Sequence, residues 1–316
     1  MSGGPSTPAL AAAVSNAGGL GFLAAGYRTA EQLAADIALT RSLTDQPFGV
    51  NVFAHRSAPV DVSATVSAWG LDPVDARWSD DEYDAKLAVL EASPPAVVSF
   101  TFGLPDPLPR FTETWVTVTS VEEARAARHA DALVVQGSEA GGHRGTWVDT
   151  DDREDIGTLA LIALVRAAVP SPLVATGGIA DGAGVAAVLA AGASRAMLGS
   201  AFLLCPEAGT VPAYRAALAT EGRTGLTRAF SGRLARGIVN RWQATHADAP
   251  IAYPELHYAT SPMRAEARAA GDAESFNLWA GQAHALSRSL PAGELVALVL
   301  EEAHEALELA RHRLDR

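Results

Sequence analysis

Short apolar runs punctuate the chain at nearly regular intervals, separated by alanine-rich stretches. The runs are "LGFLA" from residue 20, "FGVNVF" from 48, "AVVSFTF" from 96, "TWVTVT" from 114, "DALVVQ" from 131, "PLVATG" from 172 and "RAMLGS" from 195. Each is about five residues long and apolar instead of alternating, the pattern of a parallel strand covered on both faces. Between them the spacing predicts helices. One is opened by Thr7 as cap and Pro8 as first residue, and others fall on "RTAEQLAADIALTRSL" from 28, "SVEEARAAR" from 120, "TLALIALVRAAV" from 158 and "DGAGVAAVLAAG" from 181. Seven strands alternating with helices up to residue 204 predict an α/β fold, either a TIM-type (β/α)8 barrel or a doubly wound sheet.

A barrel takes eight strands, and this chain opens on a loop, "SGGPST", that leads straight into a helix. The first strand is therefore expected before Met1, with a start upstream. Only "GLPDPLPRFTE" separates the runs at 96 and 114, too rich in proline for a regular crossover helix, so that helix is expected to be shortened or lost. After residue 204 the rhythm stops. Residues 205–290 read as a smaller, mostly helical second domain over the substrate, and 291–316 as a C-terminal helix packing back on the barrel of 1–204.

Composition narrows the partners. With 316 residues and 48% hydrophobic content, the chain can bury one large barrel or two ordinary cores. Its 36 acidic against 24 basic residues give a net charge of −12, and no basic stripe with interleaved aromatics appears, which disfavours nucleic acid. The N-terminus lacks a basic segment followed by a long apolar one, and no run reaches the roughly 20 apolar residues of a membrane span. A cytoplasmic protein is expected. The single cysteine, Cys205, excludes an internal disulfide, fits a reducing compartment and reads as a small buried hydrophobe. Lys86 is the sole lysine beside 23 arginines, a bias of composition to which no role is assigned.

Candidate chemistry gathers at strand ends. Glycine turns follow the last two runs, in "ATGGIADG" and "MLGSAF"; Gly177, Gly178, Gly199 and Ser200, with the helix N-terminus after them, can converge on a phosphate. Asn51 sits inside an apolar run, where a polar amide needs partners, and Gln136 ends another; they read as satisfied core amides or as readers of a heterocycle edge. Ser99 and Thr101 line the same mouth or cap strand ends. His143, in "QGSEAGGHRG", is the only histidine at a predicted strand C-terminus; His55, His129, His246, His257, His284, His304 and His312 fall on helices or loops. No spacing suits a metal site and no G-x-S-x-G elbow occurs, which leaves an imidazole able to exchange a proton or donate a hydrogen bond. Glu139 either orients that imidazole or fixes its loop. Arg233, Arg236 and Asn240 face an anionic substrate or form a solvated surface, and Trp279 and Gln282 form a wall or core.

Taken together, "GGPSTPALAAAVSNAGGLGFLAAG", "VVQGSEAGGHRG", "VATGGIADGAGVAAVLAAGASRAMLGSAF", "AFSGRLARGIVNRW" and "NLWAGQ" resemble nitronate monooxygenases, formerly called 2-nitropropane dioxygenases, over nearly the whole chain. The resemblance implies a (β/α)8 barrel with a second domain and bound FMN, oxidising alkyl nitronates with O2 to a carbonyl compound and nitrite. It places flavin contacts on Asn51, Gln136, Gly141, Gly178 and the stretch Met197, Leu198, Gly199 and Ser200, and the catalytic histidine on His143. It implies no metal, a nitronate or nitroalkane and O2 as the small-molecule partners, and a monomer or homodimer. Gly141 and Gly142 are then expected to turn the loop tightly against the flavin so that His143 projects over it. The chain departs from the family's usual start, a strand ending in Ala-Pro-Met-x-Gly-Gly, and in the shortened segment after Phe102. The related FMN-dependent enoyl-acyl-carrier-protein reductase, driven by NAD(P)H, shares the barrel and the E-A-G-G-H loop, and a flavin-binding barrel without turnover is the third reading.

Overall fold

The seven apolar runs become the strands of one parallel sheet in the computed structural model, which describes residues 1–54, 57–152 and 154–316. His55, one of the histidines set aside above, lies outside the described residues. Thr7 caps α1 (Pro8–Asn16), accepting the Leu10 N–H, and β1 (Gly21–Ala24) follows. Thr29 and Gln32 form a reciprocal capping box that opens α2 (Ala30–Leu43), leading to β2 (Phe48–Phe53). Two helices absent from the sequence reading, α3 (Ser63–Ala68) and α4 (Tyr83–Ala92), fill the connection to β3 (Val97–Thr101). Among the described residues no helix separates β3 from β4 (Glu113–Val118), in keeping with the proline-rich segment between them.

Next come α5 (Val121–Ala126), β5 (Ala132–Gln136), the two-residue β6 (Gly142–His143), α6 (Thr158–Ala168), β7 (Leu173–Thr176), α7 (Gly182–Ala191) and β8 (Arg195–Met197). The large sheet runs β1-β2-β3-β4-β5-β7-β8, all pairs parallel, so sequence order is spatial order and the sheet curls as in a TIM-type fold. Outward-facing Val116, Val118, Leu133 and Val135 pack on Leu161, Ile162 and Val165 of α6 in the main core.

The rest comprises α8 (Pro212–Leu218), β9 (Thr224–Thr227), β10 (Ala235–Ile238), α9 (Arg241–Thr245), α10 (Glu255–Ala270) and α11 (Ala292–Leu314). The mostly helical reading of 205–290 overlooked a small antiparallel sheet, β6-β10-β9, which ties the His143 loop of the barrel to the second region. Strands this short, two and four residues, show too little alternation to be read from sequence. Leu295, Val299 and Ala303 of α11 join the core formed with α1 and α7. No described helix is long and apolar enough to cross a membrane.

Candidate active site

Along the inner face of the sheet, chemistry changes from one strand end to the other. Toward the N-terminal ends Val97, Trp115, Val134 and Val174 pack with Phe22 and Met197. Because alternate residues of a strand share a face, the next inward positions deliver Ser99, Thr117, Gln136 and Thr176. Runs that look uniformly apolar thus turn a hydroxyl or amide into a cavity of about 940 Å³ at their C-terminal ends. His143 and every residue expected from sequence to touch a flavin line this one cavity.

Asn51 holds a network there. Its Oδ1 accepts hydrogen bonds from Ser99 Oγ at 2.8 Å and Thr101 Oγ1 at 2.9 Å, and Thr101 Oγ1 lies 3.1 Å from Thr117 Oγ1. With the oxygen taken by two hydroxyls, the amide NH2 is the end left for a ligand. Gln136 is used differently. Its Nε2 donates to the His143 carbonyl at 3.1 Å, and its Oε1 accepts the Gly145 N–H at 2.7 Å and Arg144 Nη1 at 3.3 Å. That amide secures the loop carrying the histidine.

The loop glycines also answer to the protein's own packing. A Cβ on Gly141 would lie 2.4 Å from the Gly281 nitrogen, and Gly142 adopts a φ of +75°. They let the loop press on residues 280–281 and turn into β6 while both line the cavity. Glu139 is settled as a loop brace. Its carboxylate accepts the Thr158 N–H at 3.0 Å and the Thr158 hydroxyl at 2.9 Å, at the N-terminus of α6.

The glycine turns after β7 and β8 both reach the cavity, whereas the helix N-terminus after the first of them is filled by the protein itself. Asp181 accepts the Gly184 N–H at 2.8 Å and Glu302 the Gly182 N–H at 3.0 Å, so two carboxylates occupy the α7 N-terminus that was expected to meet a phosphate. What faces the cavity is the turn itself and the segment Met197–Ser200. Gly199 has an ordinary negative φ, and a Cβ there would find only the Met1 side chain, at 3.9 Å. Nothing in the protein's own packing demands glycine at this position. Ser200 Oγ accepts the Gly281 N–H at 2.9 Å and keeps its own proton to donate.

His143 stands among rings, with centroids 5.4 Å from Trp279, 5.8 Å from Phe102 and 5.9 Å from Tyr253. Its Nε2 lies 2.8 Å from Ser231 Oγ, while Nδ1 has no hydrogen-bond partner among the described residues. Burial, then the positive charges of Arg233 and Arg264, push the imidazole down to about 3, with Asp149 opposing. The ring is therefore neutral at physiological pH.

Arg233 stacks its guanidinium 4.1 Å above the Phe102 ring and bonds the carbonyls of Thr146 and Arg144. Arg264 is buried against the His257 carbonyl at 2.7 Å and the Ser261 hydroxyl at 2.8 Å, and burial lowers it to about 9. Two cations thus stand behind the aromatic wall.

Arg236 and Asn240 are elsewhere employed. Arg236 Nε donates to Ser138 O at 3.0 Å; Asn240 caps α9 and donates to the carbonyls of Ala273 and Phe276, each at 2.8 Å. Gln282 gives its N–H to Glu139 O, whereas Trp279 does form cavity wall. The sequence reading missed Ser231, Phe102, Tyr253 and Tyr27. Ser231 lies in a quoted motif, but a serine in a turn carries no sign of its partner. Among the described residues no three His, Cys, Asp or Glu side chains gather as a metal site.

A family model described as nitronate monooxygenase matches residues 1–302. A nitronate monooxygenase of Paraburkholderia phytofirmans is 43% identical, the match covering 98% of this chain and 92% of the relative. One from Pseudomonas aeruginosa is also 43% identical, covering 95% and 93%. Among solved structures, a nitroalkane oxidase from Streptomyces ansochromogenes is 48% identical with a TM-score of 0.92, over 98% of this chain and 95% of that one. FabK from Thermotoga maritima is more distant, 28% identical with a TM-score of 0.79, over 98% and 94%.

Proposed function

The chain belongs to the nitronate monooxygenase family, and on that premise we propose that FMN and an alkyl nitronate share the cavity beneath His143, the products being a carbonyl compound and nitrite. Nitroalkanes are the second substrate class. The reading is of a cytoplasmic monomer or homodimer whose partners are small molecules and O2.

The residues present suit a flavin. The cavity has room for it, Asn51 turns an amide NH2 inward, and Gly199 leaves open the space a Cβ would fill, beside the Ser200 hydroxyl. FMN, when bound, supplies the redox chemistry by which electrons pass from the nitronate to O2. The chain's own work is to position, desolvate and manage one proton. Phe102, Tyr253 and Trp279 surround the half-buried histidine with rings, and Arg233 and Arg264 set a positive field behind them that favours an anion.

The observation that carries the reading is His143 at the cavity with Ser231 on Nε2 and no hydrogen-bond partner on Nδ1 among the described residues, in an environment that favours the neutral ring. Ser231 can accept a hydrogen bond from Nε2–H, since its hydroxyl has the Arg233 carbonyl 3.2 Å away to donate to; it can also donate to Nε2 while accepting the Arg233 N–H at 3.4 Å. In the first arrangement Nδ1 carries a lone pair and takes the α-proton of a nitroalkane. In the second, Nδ1–H donates to a nitronate oxygen. The serine thus lets one neutral imidazole serve both substrate classes.

Purified protein is expected to be yellow with a flavin spectrum and to release nitrite from ethylnitronate under air. Colourless protein that takes up no FMN sinks the reading. Rapid bleaching of the flavin by NADH under anaerobic conditions, with no nitrite from nitronates, transfers the assignment to enoyl reduction.

A further inference from the structure

The only lysine of the chain is also one of its most deeply buried side chains. Lys86, on α4, has no exposed side-chain surface, and its Nζ lies 2.7 Å from Asp81 Oδ2. Taking an ion pair out of water is expensive and often no better than an apolar pair of the same volume, so its presence asks for a use. The other oxygen of the same carboxylate supplies one: Asp81 Oδ1 accepts the backbone N–H of Tyr27 at 2.9 Å.

Tyr27 needs holding. Its φ is +66°, in the left-handed region that favours glycine, on the turn between β1 and α2. Asp81 and Glu82, at +59° and +53°, share that region, and Glu82 Oε2 accepts the Ala30 N–H at 2.8 Å, so the turn before α4 grips the turn before α2 twice. The Tyr27 ring lines the cavity, stacked 3.7 Å from His257 and edge-on to Phe53 at 5.3 Å, with its hydroxyl toward that of Tyr253. Tyr253 in turn borders His143.

We propose that Lys86 and Asp81 are a positioning pair for the cavity wall: the ammonium keeps Asp81 ionised, and the ionised carboxylate fixes Tyr27 in its left-handed turn, opposite His143. Lys86 touches neither substrate nor cofactor in this scheme. The groups that face the pair are known. Asp81 sees Lys86, Glu82 and the hydroxyls of Tyr27 and Tyr253, while Lys86 sees Asp81, Asp80 and Glu82; Arg28, next to Tyr27, is engaged by Asp36 at 3.0 Å. Among the described residues Lys86 is thus the cation that acts on Asp81, against burial and, more weakly, the Glu82 charge, which drive that carboxyl upward.

The inference rests on the reading of the cavity as the nitronate site, so its test has one arm that needs no substrate. In Lys86→Met, hydrogen–deuterium exchange should show the Tyr27 amide losing about tenfold in protection at pH 6 and regaining it as pH rises and Asp81 ionises. Wild type and the double variant Asp81→Asn/Lys86→Met, whose amide oxygen is a stronger acceptor than a protonated carboxyl and does not titrate, should hold protection at all pH values between 6 and 9. With ethylnitronate, KM of the single variant should rise about tenfold at pH 6, fall back with pH, and be restored in the double variant, while kcat changes little. A pH-independent loss in Lys86→Met that the double variant does not repair overturns the proposal. If the single variant does not fold, loss of Tyr27 protection in the double variant overturns it equally. No nitrite from any variant, with the exchange pattern as expected, condemns the nitronate reading alone.

Discussion

His143 Nε2 and Ser231 Oγ meet at 2.8 Å although 88 residues separate them, one on the barrel loop and one in the turn between β9 and β10. The antiparallel pairing of His143 with Ala235 brings them together and makes the barrel mouth a joint product of both regions. Through that bond the second region holds Nε2 in either tautomer and leaves Nδ1 toward the cavity.

Replacing His143 by Asn should leave bound flavin and fold in place and lower nitrite release from ethylnitronate by about 100-fold or more, the usual weight of a positioned proton donor or acceptor. Steady-state assays of the yellow variant check this; turnover within a factor of two of wild type removes His143 from the mechanism.

Ser231→Ala leaves Nε2 without its partner and its proton unassigned. A loss of about tenfold in kcat/KM is expected, together with a shift in preference between nitronate and nitroalkane, because the two substrates use opposite tautomers. Equal losses on both substrates would contradict the tautomer argument.

Burial and neighbouring arginines hold His143 down to about 3 and His257 well below its usual range. The unfolded chain binds protons from about pH 6.5 downward that the folded histidine declines until about 3, so stability falls as pH falls through that window. Urea unfolding between pH 7 and 5 should show a shallower loss for His143→Asn than for wild type. The acid limb of kcat/KM should likewise lie below pH 5, and a limb near 6.5 would show that the ring is not desolvated.

Two glycines separate cofactor contact from packing. Gly199→Ala meets only open space and the Met1 side chain, so the melting temperature of flavin-free protein should not change, while FMN affinity drops by about tenfold if the cofactor's phosphate lies there. Gly232 has a φ of +73°, and a Cβ would lie 2.2 Å from the Ala252 carbonyl oxygen, so Gly232→Ala should destabilise the fold by about 2 kcal/mol or more. Calorimetry of the apoproteins and FMN titration distinguish the two behaviours.

The sequence by itself determined the parallel sheet, because seven uniformly apolar runs between helical periods have few other ways to be buried. It also determined that Asn51, Gln136, His143 and the two glycine turns stand at one end of the strands, since position along a strand is local information. Which way each side chain faces, and what it does there, belonged to the tertiary structure. The Asp181 cap and the Gln136 amide spent on its own loop are local contacts, but the Glu302 carboxylate on the α7 N-terminus and Gly141 pressed on residues 280–281 depend on distant segments. Ser231 at His143, and Lys86 beneath Tyr27, join segments 88 and 59 residues apart. No periodicity encodes such meetings; they exist only once the barrel loop has been paired to β10 and α4 has closed over the first turn.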